Sequence, residues 1–372
     1  RVCDLIGAAR PSIADPYLPK KIEEGRIDAI RECIGCNICV SGELSYSPVR
    51  CTQNPTFLEE FRRGWHPENV RPRGSDDALL IVGGGPAGLE AALIAAKRGY
   101  DVTLAEARTI LGGRVSREAS LPGLSEWARV RDWRLHQLRQ MANVSLYTSS
   151  ELSADEILSF QRPRVAIATG ALWRKDGIGR FNQTAVPGWD AKHVITPDDV
   201  FDGVEVQSPV LIYDEDGTYL GNLLAEQFAS DGLDVILATP ASEIAPYLAL
   251  TMEQHKVIPA LLDRGVRLER LKQVASIDRA GARMNCVHGG EPMRIDARTI
   301  VMLTSRMPQD QLFQDLSSRR SEWSDFQVAS VDRLGDCEAP NIIAAAVHAG
   351  HRYATELDVN EPQIPGPLPE RS

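Results

Sequence analysis

The stretch between residues 78 and 106 restricts the fold more than any other part of this sequence. Residues 78–82 are an unbroken apolar run, the pattern of a strand buried on both faces of a parallel sheet. A glycine-rich turn (GGGPAG, residues 83–88) follows, then a helical segment over 89–98 and a second strand over 101–105. A strand, a glycine turn, a helix and a second strand in this order predict a parallel α/β fold.

The glycine turn also predicts a ligand. Small residues let the backbone approach a pyrophosphate, which then lies at the positive end of the following helix. Glu106, 18 positions after Gly88, can accept hydrogen bonds from ribose hydroxyls. The alternative is a purely structural turn. The residues predicted to bind the nucleotide are Gly83, Gly85, Pro86, Ala87, Gly88 and Glu106.

Three weaker signals extend this nucleotide site. Taken alone, each is most often just a turn, and their order along the chain gives them weight. They are Gly113 with Arg114 in the run LGGR, Thr169 with Gly170 after an apolar strand, and Asp336 in a Gly-Asp pair before a helix.

A cysteine run predicts a metal centre. Cys33, Cys36 and Cys39 are evenly spaced, Gly35 permits a tight turn between them, and Cys51 follows a short loop later. Zinc sites more often pair their ligands across a longer stretch, and unligated thiols are the third alternative. The spacing favours a [4Fe–4S] cluster with these four cysteines as its ligands, and such a cluster carries one electron at a time.

Residues 194–305 look like a second α/β unit inserted in the first. A strand over 209–213 precedes a helix over 221–230, but Asp214, Glu215 and Asp216 stand where the first unit has glycines. Three carboxylates would repel a pyrophosphate. We therefore expect a nucleotide-binding shape without the function; the alternatives are acids that bind a metal or face solvent.

The bulk composition excludes some classes of function. At 372 residues, 43% apolar and 25% charged, the chain predicts two or three globular domains. A net charge of −10 argues against nucleic acid as a partner. Neither a membrane span nor a signal peptide is recognisable, so a cytoplasmic location is expected. Cys3, Cys286 and Cys337 are expected to be buried thiols in a reducing compartment.

The ends of the chain and its linker carry less pattern. The sequence begins with Arg1 rather than Met, which suggests a piece of a longer polypeptide or a processed subunit. Its first part predicts a strand over 2–6, a turn over 7–11 and a helix over 19–30. A helix is expected over 55–63, before a proline- and glycine-rich boundary over 64–67 and 71–74.

The motifs in this order resemble the C-terminal part of the trimethylamine, dimethylamine and histamine dehydrogenases, and more distantly the dienoyl-CoA and enoate reductases. The resemblance covers nearly the whole chain. The matching stretches are residues 4–16 (DLIGAARPSIADP), the cysteine run, 51–54 (CTQN), 62–68 (RRGWHPE), the glycine turn, 121–127 (LPGLSEW) and 168–171 (ATGA).

The resemblance implies an α/β architecture: the end of a (β/α)8 barrel, a [4Fe–4S] segment, then two Rossmann-like domains of the disulfide-reductase type, the second inserted in the first. It implies FMN in the barrel, with Arg10 pairing with the FMN phosphate, and ADP or alternatively FAD at the glycine turn. The implied segments are 1–30 (barrel end), 31–74 (cluster and linker), 75–193 with 306–372 (nucleotide domain) and 194–305 (degenerate NAD(P)-like domain).

Three functions follow from this resemblance. The favoured one is a dehydrogenase that oxidises a C–N bond of a small methylated amine and passes electrons to an electron-transferring flavoprotein. The second is an NADPH-dependent dienoyl-CoA-type reductase, which the acids at 214–216 oppose. The third is an electron-transfer subunit whose barrel lies on another chain. The resemblance also implies a homodimer.

No catalytic acid or base can be named, because the rest of the barrel is absent. The histidines are expected to be structural, and so, on ordinary aromatic habits, are the two tryptophans that could instead carry electrons out. These residues are His66, His136, His193, His348, His351, Trp127 and Trp133.

Overall fold

The computed structural model describes residues 3–45, 47–62 and 65–359. The chain divides into two compact units, the first comprising 1–119, 126–170 and 308–372 and the second 120–125 and 171–307. The boundaries predicted from the sequence are 193/194 where the structure has 170/171, and 305/306 where it has 307/308. No helix in the described part of the chain has the length and apolar character needed to cross a membrane.

The first unit contains a five-stranded sheet in which every neighbouring pair is parallel. Strand Leu79–Val82 is buried along its whole length, as its unbroken apolar run predicts. The chain adds strands first on one side of it and then on the other, so the order reverses there. From edge to edge the strands are Ser330–Arg333, Arg164–Ile167, Leu79–Val82, Val102–Ala105 and Val144–Tyr147.

This reversal leaves a crevice beyond the carboxyl ends of the central strands, the usual ligand site of such sheets. Helix Pro86–Arg98 starts there and packs against the long helix Ile343–Glu356. The other α-helices of the first unit are Ala9–Ala14, Leu18–Glu23, Ile38–Leu44, Arg114–Glu118, Arg129–Arg139, Ala154–Ser159 and Gln311–Ser318.

The second unit has its own parallel five-stranded sheet, in the order Val194–Ile195, Thr299–Leu303, Val210–Asp214, Val235–Ala238 and Arg267–Glu269. An antiparallel sheet of Lys272–Asp278, Gly281–Cys286 and Met293–Asp296 accompanies it. Its α-helices are Pro197–Phe201, Leu220–Ser230 and Gln254–Asp263, and strands Ala171–Trp173 and Arg306–Pro308 form a separate pair.

The N-terminal segment differs from the prediction. No strand forms over residues 3–8, where Leu5 and Ile6 are 92% and 81% exposed, and the expected turn is helix Ala9–Ala14. The helix expected over 19–30 is instead the shorter helix Leu18–Glu23. It ends before Gly25, whose φ of 71° is outside the right-handed helical region. That this segment ends a barrel stays a prediction, and Val2 lies outside the described residues.

The segment after Cys51 forms successive turns rather than the predicted helix over 55–63. The side-chain oxygen of Asn54 accepts the Thr56 N–H at 3.1 Å and so competes with a helical bond. Leu58 has a φ of 59°, which no right-handed helix allows. Arg63 and Gly64, at the end of this prediction and the start of the predicted linker, lie outside the described residues.

The three cysteines outside the run do not share one environment. Cys337 is buried, as expected. Cys286 is only half-buried and Cys3 is exposed, so the expectation of three buried thiols is wrong for these two. Neither has apolar neighbours on all sides, because Cys286 ends an antiparallel strand and Cys3 lies in the irregular N-terminal segment.

Candidate functional site

The four predicted ligands line one pocket, which is partly open to solvent. No group of three or more His, Cys, Asp or Glu side chains in the described part of the chain is arranged to hold a metal ion. The cavity lining consists of Arg10, Ile13, Cys33, Ile34, Cys36, Asn37, Cys39, Cys51, Thr52 and Gln53.

Tight local turns bring the cysteines to this cavity. Gly35 and Asn37 have φ values of 72° and 54°, so the backbone reverses between successive thiols. Helix Ile38–Leu44 then begins and carries Cys39 in its first turn. The turn at Gly35 agrees with the expectation for that residue, and the cluster geometry itself stays a prediction.

Hydrogen-bond donors surround the sulfur atoms. The Gly35 N–H donates to Cys33 Sγ at 3.4 Å, and Cys36 Sγ lies 3.2 Å from the Thr52 hydroxyl. Backbone N–H groups of Gln53 and Asn54 lie near Cys51 Sγ and lower the pKa of its thiol. Sulfur atoms that accept such bonds suit a bound iron–sulfur cluster, whose potential they help to set.

Burial raises the pKa of the Cys36, Cys39 and Cys51 thiols. Neighbouring cysteines raise each pKa further, while Arg10 lowers that of Cys39. Several thiols crowded in one buried place suit a cation, because metal binding replaces their protons and relieves the repulsion between thiolates. The kind of donor therefore suits a metal–sulfur centre, although the cysteines of this structure are not already arranged as a metal site.

Arg10 lies at the rim of the same cavity. It is exposed on helix Ala9–Ala14, and its Nη1 donates to the side-chain oxygen of Asn37. The predicted role of Arg10, pairing with an FMN phosphate, is not tested by these contacts and stays a prediction.

A buried polar network, which the sequence did not predict, contacts Gln53 in the segment that follows Cys51. Arg134 and Glu90, both fully buried, form an ion pair with 2.6 Å between Nε and Oε2. Arg134 also binds the side chain of Gln53 at 3.0 Å, and the other oxygen of Glu90 lies 2.9 Å from His351 Nδ1. Burial alone would raise the pKa of Glu90, but Arg134 and His351 outweigh it and hold that pKa well below its usual range.

Three of the histidines have structural partners, which supports the structural interpretation. His66 Nδ1 accepts the backbone N–H groups of Glu68 and Asn69 at 3.0 and 2.8 Å, so its Nε2 carries the proton and donates to Tyr17. His348 lies 3.2 Å from a carboxylate oxygen of Glu59. His351 belongs to the network behind Cys51.

The glycine turn has the close approaches that its pattern predicts. An ideal Cβ on Gly88 would lie 1.9 Å from the carbonyl oxygen of Gly83, so only glycine lets the helix pack against the strand here. Gly83 itself has a φ of 110°. An ideal Cβ on Gly85 meets nothing within 4 Å, which leaves open space at the start of helix Pro86–Arg98 for a phosphate.

Glu106 is almost fully buried beside this turn. One carboxylate oxygen accepts the N–H of Gly84 at 2.7 Å and the other accepts that of Arg108 at 2.9 Å. The structure thus places Glu106 next to the glycine turn. These bonds orient the carboxylate and leave lone pairs on both oxygens for ribose hydroxyls.

The remaining residues predicted for the nucleotide site form two groups: some lie near the start of the nucleotide helix, and the others bond to Gln309. Arg114 Nη2 lies 3.7 Å from Asp336 Oδ2, and an ideal Cβ on Gly335 would lie 2.8 Å from Ala87 Cβ, so Asp336 is brought to the start of the nucleotide helix. Likewise, an ideal Cβ on Gly113 would lie 3.1 Å from Gly85 Cα. Thr169 instead donates to Gln309 O at 2.5 Å, and Gly170 O accepts the Gln309 N–H at 2.9 Å.

The acids of the second unit are not a solvated run. Asp214 and Glu215 are buried, and Asp216 is half-buried. Asp214 accepts the Gly217 N–H at 2.9 Å, and an ideal Cβ on Gly221 would lie 2.4 Å from its other oxygen. Burial, and then Asp216, raises the pKa of Asp214 to about 7. The carboxylates thus occupy the turn before helix Leu220–Ser230, and the solvent alternative is wrong for Asp214 and Glu215.

Comparisons with known proteins agree with the α/β fold and with the family resemblance expected from the sequence. A family model described as FAD dependent oxidoreductase matches residues 78–168. Dimethylamine dehydrogenase of Hyphomicrobium sp. (strain x) is 39% identical over 97% of this chain and 53% of its own length. The chain is a relative of the dimethylamine and histamine dehydrogenases. The family resemblance and the α/β class expected from the sequence are confirmed.

Solved structures give the same result. Histamine dehydrogenase from Rhizobium sp. 4-9 matches with a TM-score of 0.94 and 48% identity, over 96% of this chain and 55% of that one. The 6-hydroxypseudooxynicotine amine oxidase from Pseudomonas geniculata N1 matches with a TM-score of 0.91 and 42% identity, over 95% and 53%. The chain therefore spans about half the length of the relatives it matches.

Proposed function

We propose that this chain is the electron-transfer part of a dehydrogenase that oxidises a C–N bond of a small methylated amine. The observation that carries the proposal is the meeting of four cysteines around one cavity, in the unit that also holds the glycine turn. The relative named as dimethylamine dehydrogenase supports a methylated amine, and the structure named as histamine dehydrogenase supports an amine substrate more generally.

Cys33, Cys36, Cys39 and Cys51 would hold a [4Fe–4S] cluster in this proposal. Such a cluster supplies one-electron transfer when bound. The chain's own residues half-bury the cysteines, and the Gly35 N–H and the Thr52 hydroxyl lie within hydrogen-bond distance of two of the sulfur atoms. Zinc remains the alternative for the same ligands, and iron and sulfide analysis separates the two.

The glycine turn would hold ADP, with FAD as the alternative. Gly85 leaves space for a phosphate, Glu106 is oriented toward the ribose, and the Gly113–Arg114 loop approaches from the other side. Asp336 and Arg114 stand beside the pyrophosphate position, and Thr169 and Gly170 close the next strand end. Extracting the nucleotide and identifying it by chromatography decides between ADP and FAD.

The acids of the second unit support a dehydrogenase over an NADPH-dependent reductase. Asp214 already satisfies the Gly217 N–H at 2.9 Å, a group that would otherwise be free for a phosphate. Its carboxylate also fills the space next to Gly221. A pyrophosphate would have to displace buried carboxylates whose charge, when present, repels it.

The remaining parts of the proposal concern what lies beyond this chain. We propose FMN in a barrel region as the site of amine oxidation, with Arg10 pairing with its phosphate. Electrons would leave to an electron-transferring flavoprotein, and the protein would be a homodimer. The half-length match to the relatives supports a further region on the same polypeptide or on a partner subunit.

The test uses the full-length protein, prepared without oxygen. Dimethylamine, histamine and dimethylglycine are added in turn, and the electron paramagnetic resonance spectrum is recorded. The proposal expects one of these amines to reduce an iron–sulfur cluster in a chain that contains four irons, the cubane's own complement. Reduction by NADPH but by none of the amines would overturn it.

A further inference from the structure

The fully buried Arg134 lies directly behind the Cys51 segment. Its guanidinium donates four hydrogen bonds, to Glu90 Oε2 at 2.6 Å, Val130 O at 2.8 Å, Gln53 Oε1 at 3.0 Å and Gln53 O at 3.1 Å. A guanidinium keeps its charge in proteins, so a full positive charge is fixed at the carbonyl of Gln53.

This contact reaches a cysteine through a single peptide group. The carbonyl of Gln53 and the N–H of Asn54 belong to the same peptide plane. The N–H groups of Asn54 and Gln53 lie near Cys51 Sγ and lower the pKa of its thiol. A cation bound at the carbonyl end polarises the peptide and so strengthens the attraction between the Asn54 N–H and that sulfur atom.

Glu90 opposes this effect from the far side. Glu90 accepts a hydrogen bond from Arg134 Nε, while the two Nη atoms of Arg134 donate to Gln53. The positive partner of the ion pair is therefore the one on the side of the Cys51 segment. His351 holds the other oxygen of Glu90. Burial lowers the pKa of His351, so at neutral pH its imidazole adds no charge.

We propose that Arg134 is a positioning residue that raises the reduction potential of the metal centre at Cys51, and that Glu90 limits the size of this effect. Positive charge and N–H···S bonds both stabilise the reduced, more negative form of a cluster. The inference rests on the proposed function, because it requires a redox-active centre on these cysteines.

A purely structural role makes a different prediction. Removing either partner of a buried ion pair destabilises a protein, because a buried charge is left uncompensated. Arg134→Gln and Glu90→Gln would then both lower the melting temperature without moving the potential in opposite directions. The electrostatic role requires opposite shifts.

The experiment is a redox titration of the full-length protein with its centre bound, followed by electron paramagnetic resonance. R134Q is expected to shift the midpoint potential to a more negative value, and E90Q to a less negative one. R139Q is the matched control, since Arg139 is exposed on the same helix. It is expected to leave the potential unchanged.

Iron per chain is measured first in every sample. A wild-type protein without a redox-active iron centre would overturn the proposed function as well. With the centre present in the wild type, shifts of the same sign in R134Q and E90Q, or no shift, overturn only the inference. If R134Q fails to retain the centre, E90Q decides alone: a less negative potential supports the inference and any other result overturns it.

Discussion

Thiols that are both buried and close to one another stay protonated until something replaces their protons. Burial raises the pKa of Cys36, Cys39 and Cys51, so at neutral pH these side chains are neutral thiols. A metal centre must displace those protons as it binds. Its assembly is therefore expected to slow as the pH falls.

Serine at position 36 should abolish the metal centre. Cys36 is half-buried and its Sγ lies 3.2 Å from Thr52 Oγ1, so an alcohol there would fill the space without supplying a thiolate. C36S is expected to lose its visible absorbance and most of its iron. C286S is the control, because Cys286 is half-buried in another unit. Full iron retention in C36S would exclude Cys36 as a ligand.

Trp127 is the better of the two tryptophans for an electron exit. It is half-buried and packs with Cys36 against the apolar group that contains Ile34. Trp133 is buried, and its indole N–H donates to Ala29 O at 3.3 Å, which indicates a structural role. W127L is expected to slow reoxidation by the electron carrier several-fold in stopped-flow experiments, with W189L as an exposed control. An unchanged rate would exclude this route.

The residues of the two candidate sites differ in how predictable they are. The cysteines and the glycine turn could be read from the sequence, because local spacing alone fixes their geometry. Arg134 could not be found in this way. Its partners Glu90 and Gln53 lie 44 and 81 positions away, and nothing local links a helix arginine to them.

At the scale of elements, the glycine turn allows two substitutions with opposite expectations. G88A should lower the melting temperature, since its Cβ would lie 1.9 Å from Gly83 O; overpacking of this kind costs about 1–3 kcal/mol. G85A should leave the nucleotide-free protein intact, because its φ of −74° suits alanine and nothing lies within 4 Å.

The same G85A variant is expected to bind nucleotide about tenfold more weakly, a loss of about 1.4 kcal/mol, because a methyl group enters the phosphate space. Isothermal titration calorimetry with ADP measures this, and differential scanning fluorimetry measures stability. Unchanged affinity in G85A would show that the phosphate does not lie at this helix start.

The turn before helix Leu220–Ser230 predicts a pH dependence. Burial raises the pKa of Asp214 from 3.8 to about 7, so the folded chain holds a proton that the unfolded chain releases. The stabilising contribution is complete below the unfolded pKa of 3.8 and is lost as the pH rises through about 7. D214N should therefore raise the melting temperature more at pH 8 than at pH 5.

The control for this prediction is D231N, which changes an exposed carboxylate at the end of the same helix. Its effect on the melting temperature is expected to be small at both pH values. An equal effect of D214N at pH 5 and pH 8 would contradict a raised pKa for Asp214.

The central strands of the two parallel sheets were predictable, whereas the described residues between 3 and 62 largely were not. The central strands carry unbroken apolar runs, so their sequence and their burial give the same signal. In the cysteine segment, side chains such as Asn54 take the bonds that a helix would use. Local hydrophobic periodicity does not register that competition.

At the scale of the whole molecule, the two units differ in what they can bind. The first has an open turn at Gly85, and the second has a turn filled by Asp214. The full-length protein is therefore expected to show flavin reduction with an amine substrate but none on the same timescale with NADPH. Stopped-flow absorbance measures both, and rapid bleaching by NADPH would favour a reductase.

The hydrogen bond between Gly170 O and the Gln309 N–H, at 2.9 Å, joins the two ends of the longer of the two gaps in the first unit's chain. The termini of the long insertion thus leave and return side by side, so closing the gap with a short turn costs little chain entropy. Residues 171–307 behave in this respect as a removable cassette. A shortened gene that skips them would keep residues 120–125 of the second unit and is expected to encode a first unit that retains the four cysteines and the glycine turn.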